Sequence, residues 1–250
     1  MYARTLARSI QTISRNFPVL MLTGPRQVGK TTLLELCAAA DSPAPRNYVS
    51  LDDLDARALA QSDPALFLQT WPAPVTIDEV QYAPQLFSAI KLHVDRHKVN
   101  GQFWLTGSQK FELMKGVTES LAGRVAIIEL QGLSQGELLD RADEVRAFLP
   151  TADWISKARA CATSTTLPDV FKRIWLGAYP KLHAQRGEAR DLFFRSYIQT
   201  YLQRDVQDTL KVSDQTTFNR FLTAVAARTG QLLNYASLAR DVDIDNKTAK

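Results

Sequence analysis

The chain has 250 residues, 45% of them hydrophobic, with 30 Lys and Arg against 26 Asp and Glu for a net charge of +4. That content supports one sizeable core and a smaller second one, and the mild basicity permits nucleic-acid contact without requiring it. Cys37 and Cys161 stand far apart without C-x-x-C spacing, no N-terminal stretch has signal-peptide character and no run reaches 18 apolar residues; the sequence reads as a cytoplasmic, reduced protein that is neither secreted nor membrane-spanning.

In chain order, Phe17 to Leu22 reads as a short buried strand and Lys30 to Ala40 as a helix with Leu33, Leu34, Leu36 and Cys37 apolar. Between them Gly24-Pro25-Arg26-Gln27-Val28-Gly29-Lys30-Thr31 matches the phosphate loop G-x-x-x-x-G-K-[ST], in the strand-loop-helix setting that this motif requires. Glycines permit backbone angles and close approaches that a side chain blocks, so that successive N–H groups and the helix N-terminus can point at phosphate oxygens. Lys30 adds charge near the β- and γ-phosphates, the Thr31 hydroxyl is placed to ligate Mg²⁺, and Thr32 closes the nucleotide-binding segment.

Asn47 to Leu51 reads as a second strand, followed by Asp52 and Asp53, and Asp63-Pro64 as a helix start with proline at the first position. Pro74 to Glu79 is an apolar strand ending in two carboxylates. Beside a phosphate loop, Asp78 would hold Mg²⁺ through its water shell and Glu79 would act as general base on the attacking water. A helix from Pro84 carries Leu86, Ile90 and Val94 on one stripe and ends before Asn100-Gly101. His93 and His97 stand four apart on it, but no third ligand accompanies them, and a solvated or half-buried helix face is the better reading.

Phe103 to Ser108 is a further buried strand with a small polar tip, where Thr106 or Ser108 would sense the γ-phosphate or fix the lytic water. Arg124 lies at the entrance of the apolar strand Val125 to Leu130, where it would reach a phosphate of its own subunit or of a neighbour's. Beyond residue 130 the strand pattern stops. Residues 133–190 read as a helical lid, interrupted by Thr163 to Thr166 and by Gly177-Ala178-Tyr179-Pro180. A long helix follows with Phe194, Tyr197, Ile198, Tyr201, Leu202, Val206 and Leu210 as a core stripe, and Asn234 to Thr248 has helix-turn-helix character with Asn234 and Asp245 as N-caps.

Together "LTGPRQVGKTTL", "IDEVQ", "LTGSQ", "ESLAGR", "GAYP", "YLQRDV" and "LLNYASLARDVDI" resemble prokaryotic AAA+ ATPases of the archaeal-type group that carry a C-terminal domain of unknown function. The resemblance implies the nucleotide and metal roles of Lys30, Thr31, Asp78 and Glu79, a sensor at Thr106 or Ser108, and an arginine finger at Arg124. Members of that family are longer, with a C-terminal domain that continues beyond the helix-turn-helix, whereas this sequence ends at Lys250 inside the second helix, as a fragment or as a naturally curtailed protein. Arg173, Arg186 and Arg190 are candidates for a second sensor arginine, none with a specific motif.

The expected fold is therefore an α/β P-loop NTPase: a parallel sheet with helices on both faces over residues 1–132, a helical lid over 133–190, and an incomplete helical, winged-helix-like segment over 191–250. The expected function is Mg²⁺-dependent binding and hydrolysis of ATP driving movement of the C-terminal region. A homo-oligomer and weak DNA contact are the expected partners beyond ATP and ADP. The alternative is a nucleotide-gated DNA-binding regulator with little hydrolysis. A GTPase is disfavoured because Asn246-Lys247 is followed by Thr248-Ala249 rather than by the guanine-reading pattern, and a kinase because Glu79 beside Asp78 suits activation of water.

Overall fold

The computed structural model describes residues 2–40, 45–107, 116–117, 119–144, 151–160, 165–201 and 215–250. The strands are β1 (Val19–Thr23), β2 (Asn47–Ser50), β3 (Val75–Asp78), β4 (Phe103–Thr106) and β5 (Val125–Glu129), and they form one sheet in the order β2-β3-β4-β1-β5 with every pairing parallel. This is the α/β P-loop architecture expected from the alternation of strands and helices.

Strand residues alternate between two cores, one on each face of the sheet. Val19, Met21, Val75, Ile77, Phe103 and Leu105 pack against α3 (Leu54–Ser62), α4 (Pro64–Thr70) and α5 (Leu86–His97). Leu20, Leu22 and Trp104 pack on the other face against α1 (Leu6–Asn16) and α2 (Lys30–Ala40). Burial on both faces is why these strands read as continuous apolar runs.

Local signals set the helix ends. Asp63 caps α4 by accepting the Leu66 N–H at 2.9 Å, with Pro64 at the first helical position. The α5 helix ends at His97, with Lys98 left-handed at φ 53° and Gly101 at φ 69° in the turn that follows. On its surface the His93 and His97 rings stack with centroids 4.1 Å apart, and His93 is half-buried with its edge against Phe103. Burial and the neighbouring His97 lower the pKa of His93, so it tends to be neutral.

After β5 the chain is helical at Gln135–Leu138, Ala152–Ala160, Leu167–Leu176 and Pro180–Ala184. Gly177 to Pro180 does more than end a helix. The Leu133 N–H donates to Ala178 O at 2.7 Å, and Tyr179 packs against the core between β1 and α2. Contacts divide the molecule into residues 1–187 and 188–250.

Among the described residues the second unit has helices at Arg190–Tyr201, Gln215–Ala227, Tyr235–Val242 and Asn246–Ala249. Both expected caps form: Asn234 accepts the Ser237 N–H at 2.9 Å, and Asp245 accepts those of Lys247 and Thr248 at 2.8 and 3.0 Å. In the first of these helices Phe193 is buried, edge-on to Phe194 and stacked on Tyr197, while Ile198 is 41% exposed. Phe194 and Tyr197 of the expected stripe are half-buried. Leu202, Val206 and Leu210 lie outside the described residues, as do Ser108, Cys161, Thr163 and Ser164.

Candidate nucleotide site

The loop between β1 and α2 leaves the carboxyl end of a central strand, the end at which α/β sheets bind ligands. Its two glycines are required for different reasons. A Cβ on Gly24, at φ 137°, would lie 2.2 Å from the Leu130 carbonyl oxygen, so this glycine lets the chain pass the loop after β5. A Cβ on Gly29, at φ 91°, would meet nothing within 4 Å, so here the need is conformational and the space beside the backbone is open to a ligand. Pro25 and Arg26 are half-buried, Val28 is buried, and Gln27 takes a left-handed conformation at φ 62°. The buried Lys30 ammonium donates to the carbonyls of Gly24 and Pro25 at 3.0 and 2.9 Å, folding the loop around its own cation.

Thr31 and Thr32 open α2, and Thr31 joins the loop to the acidic strand tip. Its hydroxyl donates to Asp78 Oδ2 at 2.9 Å, across 47 residues of sequence. On the other side of that carboxylate, the hydroxyl of Thr106 at the end of β4 donates to Asp78 Oδ1 and accepts the Glu79 N–H at 3.2 Å. Because β4 lies between β1 and β3, the loop, Thr106 and the two acids meet at one end of the sheet.

Thr106 is fully buried, and its hydroxyl is engaged by the two acids, donating to Asp78 and accepting from the Glu79 N–H. Glu79 follows β3 in a left-handed conformation, φ 56° and ψ 44°, that non-glycine residues seldom adopt. The Gln81 amide donates to Glu79 Oε2.

Three residues of the site carry no motif signal. Tyr48 on β2 donates its hydroxyl to Asp78 Oδ2 at 3.1 Å. Burial, with the Asp78 charge beside it, raises the phenol well above its ordinary range and keeps it a donor. Arg4 donates to the loop carbonyl of Val28 at 2.8 Å, to Gln131 O at 2.6 Å and to Glu137 Oε1 at 3.1 Å. Glu137 also accepts the N–H groups of Thr5 and Ser134, both at 2.8 Å. Burial alone would raise the Glu137 pKa, but these N–H donors and the guanidinium hold it below the usual carboxylate range. No spacing rule connects residues so far apart in sequence.

Beside the loop is a cavity of about 280 Å³ lined by Tyr2, Val28, Gly29, Leu33, Leu133 and Pro180, with Arg4 at its edge. It is mostly apolar and opens against the loop backbone.

Arg124 stands apart from these residues. Its carbonyl accepts the Val19 N–H at the amino end of β1, about 16 Å below the loop at roughly 3.3 Å per residue. Its guanidinium forms a paired contact with Asp95 on α5, at 2.6 and 3.0 Å. This placement puts Arg124 and the loop at opposite ends of the sheet.

A phosphate loop at a central strand tip, facing an acid on the next strand but one, defines the P-loop nucleotide-binding class. Within that class, residues 16–139 match the family described as AAA domain, and residues 167–250 match a Domain of unknown function (DUF8612). The chain is thus similar to AAA-type P-loop proteins over its first half and to a domain of unknown function over its C-terminal part. Uncharacterized proteins of Mycobacterium tuberculosis and Mycobacterium bovis are each 32% identical to it over 99% of its length. The chain spans about half the length of these curated relatives, 49% of each. Among solved structures it is similar to the Walker-type ATPase of Pyrococcus abyssi, with a TM-score of 0.50, 14% identity, and coverage of 95% of this chain and 87% of that one, a likeness of fold. Among the described residues no helix is long and apolar enough to cross a membrane.

Proposed function

We propose that the protein binds ATP with Mg²⁺ and hydrolyses it, and that hydrolysis moves its C-terminal region. The observation that carries this reading is the contact of Thr31 with Asp78, which joins the phosphate loop to the acidic strand tip in one constellation. The backbone of residues 24–29 would cradle the phosphates, with Lys30 exchanging its loop carbonyls for phosphate oxygens. The cavity between Tyr2, Leu33 and Pro180 suits a flat, apolar nucleobase.

Thr31 and Asp78 offer a hydroxyl and a carboxylate, the hard oxygen donors that suit Mg²⁺. Thr31 can keep its O–H on Asp78 while a lone pair on the same oxygen faces the metal. Mg²⁺ would supply charge neutralisation for the transferred phosphoryl group. Glu79 is the proposed general base, aimed by its left-handed backbone and steadied by Gln81. Arg124, at the far end of its own sheet, is proposed to act on the nucleotide of a neighbouring copy in a homo-oligomer. The contact of Leu133 with Ala178 supports coupling, because it ties the segment after β5 to the helices that lead into the C-terminal domain.

The two cysteines of the sequence, Cys37 and Cys161, far apart and without C-x-x-C spacing, fit a reducing, cytoplasmic setting. The second reading, a nucleotide-gated DNA-binding regulator, is favoured by the capped helix pair at residues 235–249. Phosphate release from ATP, measured with and without Mg²⁺ and with and without duplex DNA, separates the two. Metal-dependent turnover supports the ATPase. Nucleotide binding without turnover, together with nucleotide-dependent DNA binding, supports the regulator.

A further inference from the structure

Asp78 Oδ2 takes two hydroxyl donors from different parts of the fold. Thr31 is the one that the loop motif supplies, at 2.9 Å, and Tyr48 is a second, at 3.1 Å, that neither motif calls for. Tyr48 is on β2, the strand at the sheet edge beside β3, and pairs in register with Thr76, two residues before Asp78. A short side chain at this position would not reach the strand tip, whereas the length of a tyrosine carries its hydroxyl up to the carboxylate. Burial does not account for the residue type, since Tyr48 is 44% exposed.

The carboxylate torsion of an aspartate is broad and soft, so a single donor leaves the plane of the group poorly fixed. With Thr106 on Oδ1 and both Thr31 and Tyr48 on Oδ2, the carboxylate of Asp78 is held from three elements. We propose that Tyr48 is a positioning residue for the Mg²⁺ site, its hydroxyl orienting Asp78 toward the metal's water shell. The proposal rests on the nucleotide reading above. Groups that orient a metal ligand from behind typically contribute about 10- to 100-fold to metal affinity, and Tyr48 is one of three such donors, so the low end of that range is expected.

The test is a Mg²⁺ titration of the binding of a fluorescent N-methylanthraniloyl ATP to the full chain, with an EDTA arm, for the wild type and Tyr48→Phe. The substitution keeps the ring at a half-exposed position, and the unfolding midpoint without nucleotide checks that the fold is retained. The Mg²⁺ concentration for half-maximal binding is expected to rise about tenfold, with the EDTA affinity within about twofold of wild type. Direct Mn²⁺ binding, read by electron paramagnetic resonance with bound ADP, should weaken in parallel. A purely structural role for Tyr48 would instead lower the EDTA affinity and the unfolding midpoint and leave the Mg²⁺ midpoint in place. A wild type that responds to Mg²⁺ beside a variant with an unchanged or lowered midpoint overturns this proposal alone. A wild type whose nucleotide binding ignores Mg²⁺ overturns it together with the nucleotide reading.

Discussion

Thr106 and Asp78 are donor and acceptor across the tips of adjacent strands, and the oxygen that donates to Asp78 also accepts the backbone N–H of Glu79 at 3.2 Å. One buried hydroxyl therefore contacts both acids. Thr106→Val keeps shape and volume but leaves a buried N–H and a carboxylate oxygen without that partner. A loss of about 1–3 kcal/mol of stability is expected, measured by urea denaturation, with Thr106→Ser recovering most of it. Stability within error of wild type in Thr106→Val would show that solvent reaches these groups.

Lys30→Ala and Glu79→Gln should separate binding from turnover. Lys30 is the buried cation of the loop, so its loss should abolish ATP binding in a direct binding assay. Glu79 is hydrogen-bonded to Thr106 and Gln81, so Glu79→Gln should bind ATP within a few fold of wild type and release phosphate at least about 100-fold more slowly. Equal loss of binding in the two variants would contradict the assigned roles.

The Arg124 prediction depends on assembly. With its guanidinium on Asp95 at the far end of the sheet, Arg124→Ala should leave ATP affinity unchanged. Hydrolysis should fall by about 10³-fold or more only under conditions where oligomers form. Mixing Arg124→Ala with Lys30→Ala subunits should restore part of the activity, as each supplies what the other lacks. Undiminished turnover of the single variant in confirmed oligomers removes Arg124 from the mechanism.

The Arg4–Glu137 pair gives a pH signature. The folded-state pKa of Glu137 lies below its unfolded value, so the unfolded chain binds more protons in the acid range and stability there rises with pH. The contribution is fully present above the ordinary carboxylate value of about 4.3 and is lost as pH falls through the lower folded value. Urea midpoints followed down from pH 6 should drop less steeply below this range in Glu137→Gln than in wild type. Arg4→Met, which strands the buried carboxylate, should cost about 3–5 kcal/mol at neutral pH; a cost under about 1 kcal/mol would show that Glu137 is satisfied by its N–H donors alone.

For DNA, this 250-residue chain is expected to bind weakly and without sequence preference. Beyond the turn only Lys247 and Lys250 are basic, while Asp243 and Asp245 lie close by and Asp241 is paired with Arg228. Each neutralised phosphate contributes about −0.9 to the slope of log affinity against log salt, so a shallow slope is expected in fluorescence anisotropy with a labelled duplex. Tight, sequence-selective binding at physiological salt would put the regulator reading first.

The sequence by itself determined the elements and the motif chemistry, because these are encoded over short distances. Apolar runs ending at Thr23, Asp78 and Thr106 mark the strands, the glycines and Lys30 mark the loop, and Asp63, Asn234 and Asp245 mark helix starts by local hydrogen bonds. Only the tertiary structure decided which of those residues meet. The strand order places Thr106 between the loop and the acids and turns it into their support, and it sends Arg124 to the opposite end of the sheet. It also brings Tyr48 to Asp78 and Arg4 to Val28 and Glu137, contacts made by side-chain reach between segments up to 133 residues apart. Such contacts leave no periodicity in the chain, since they depend on which distant segments the fold lays side by side.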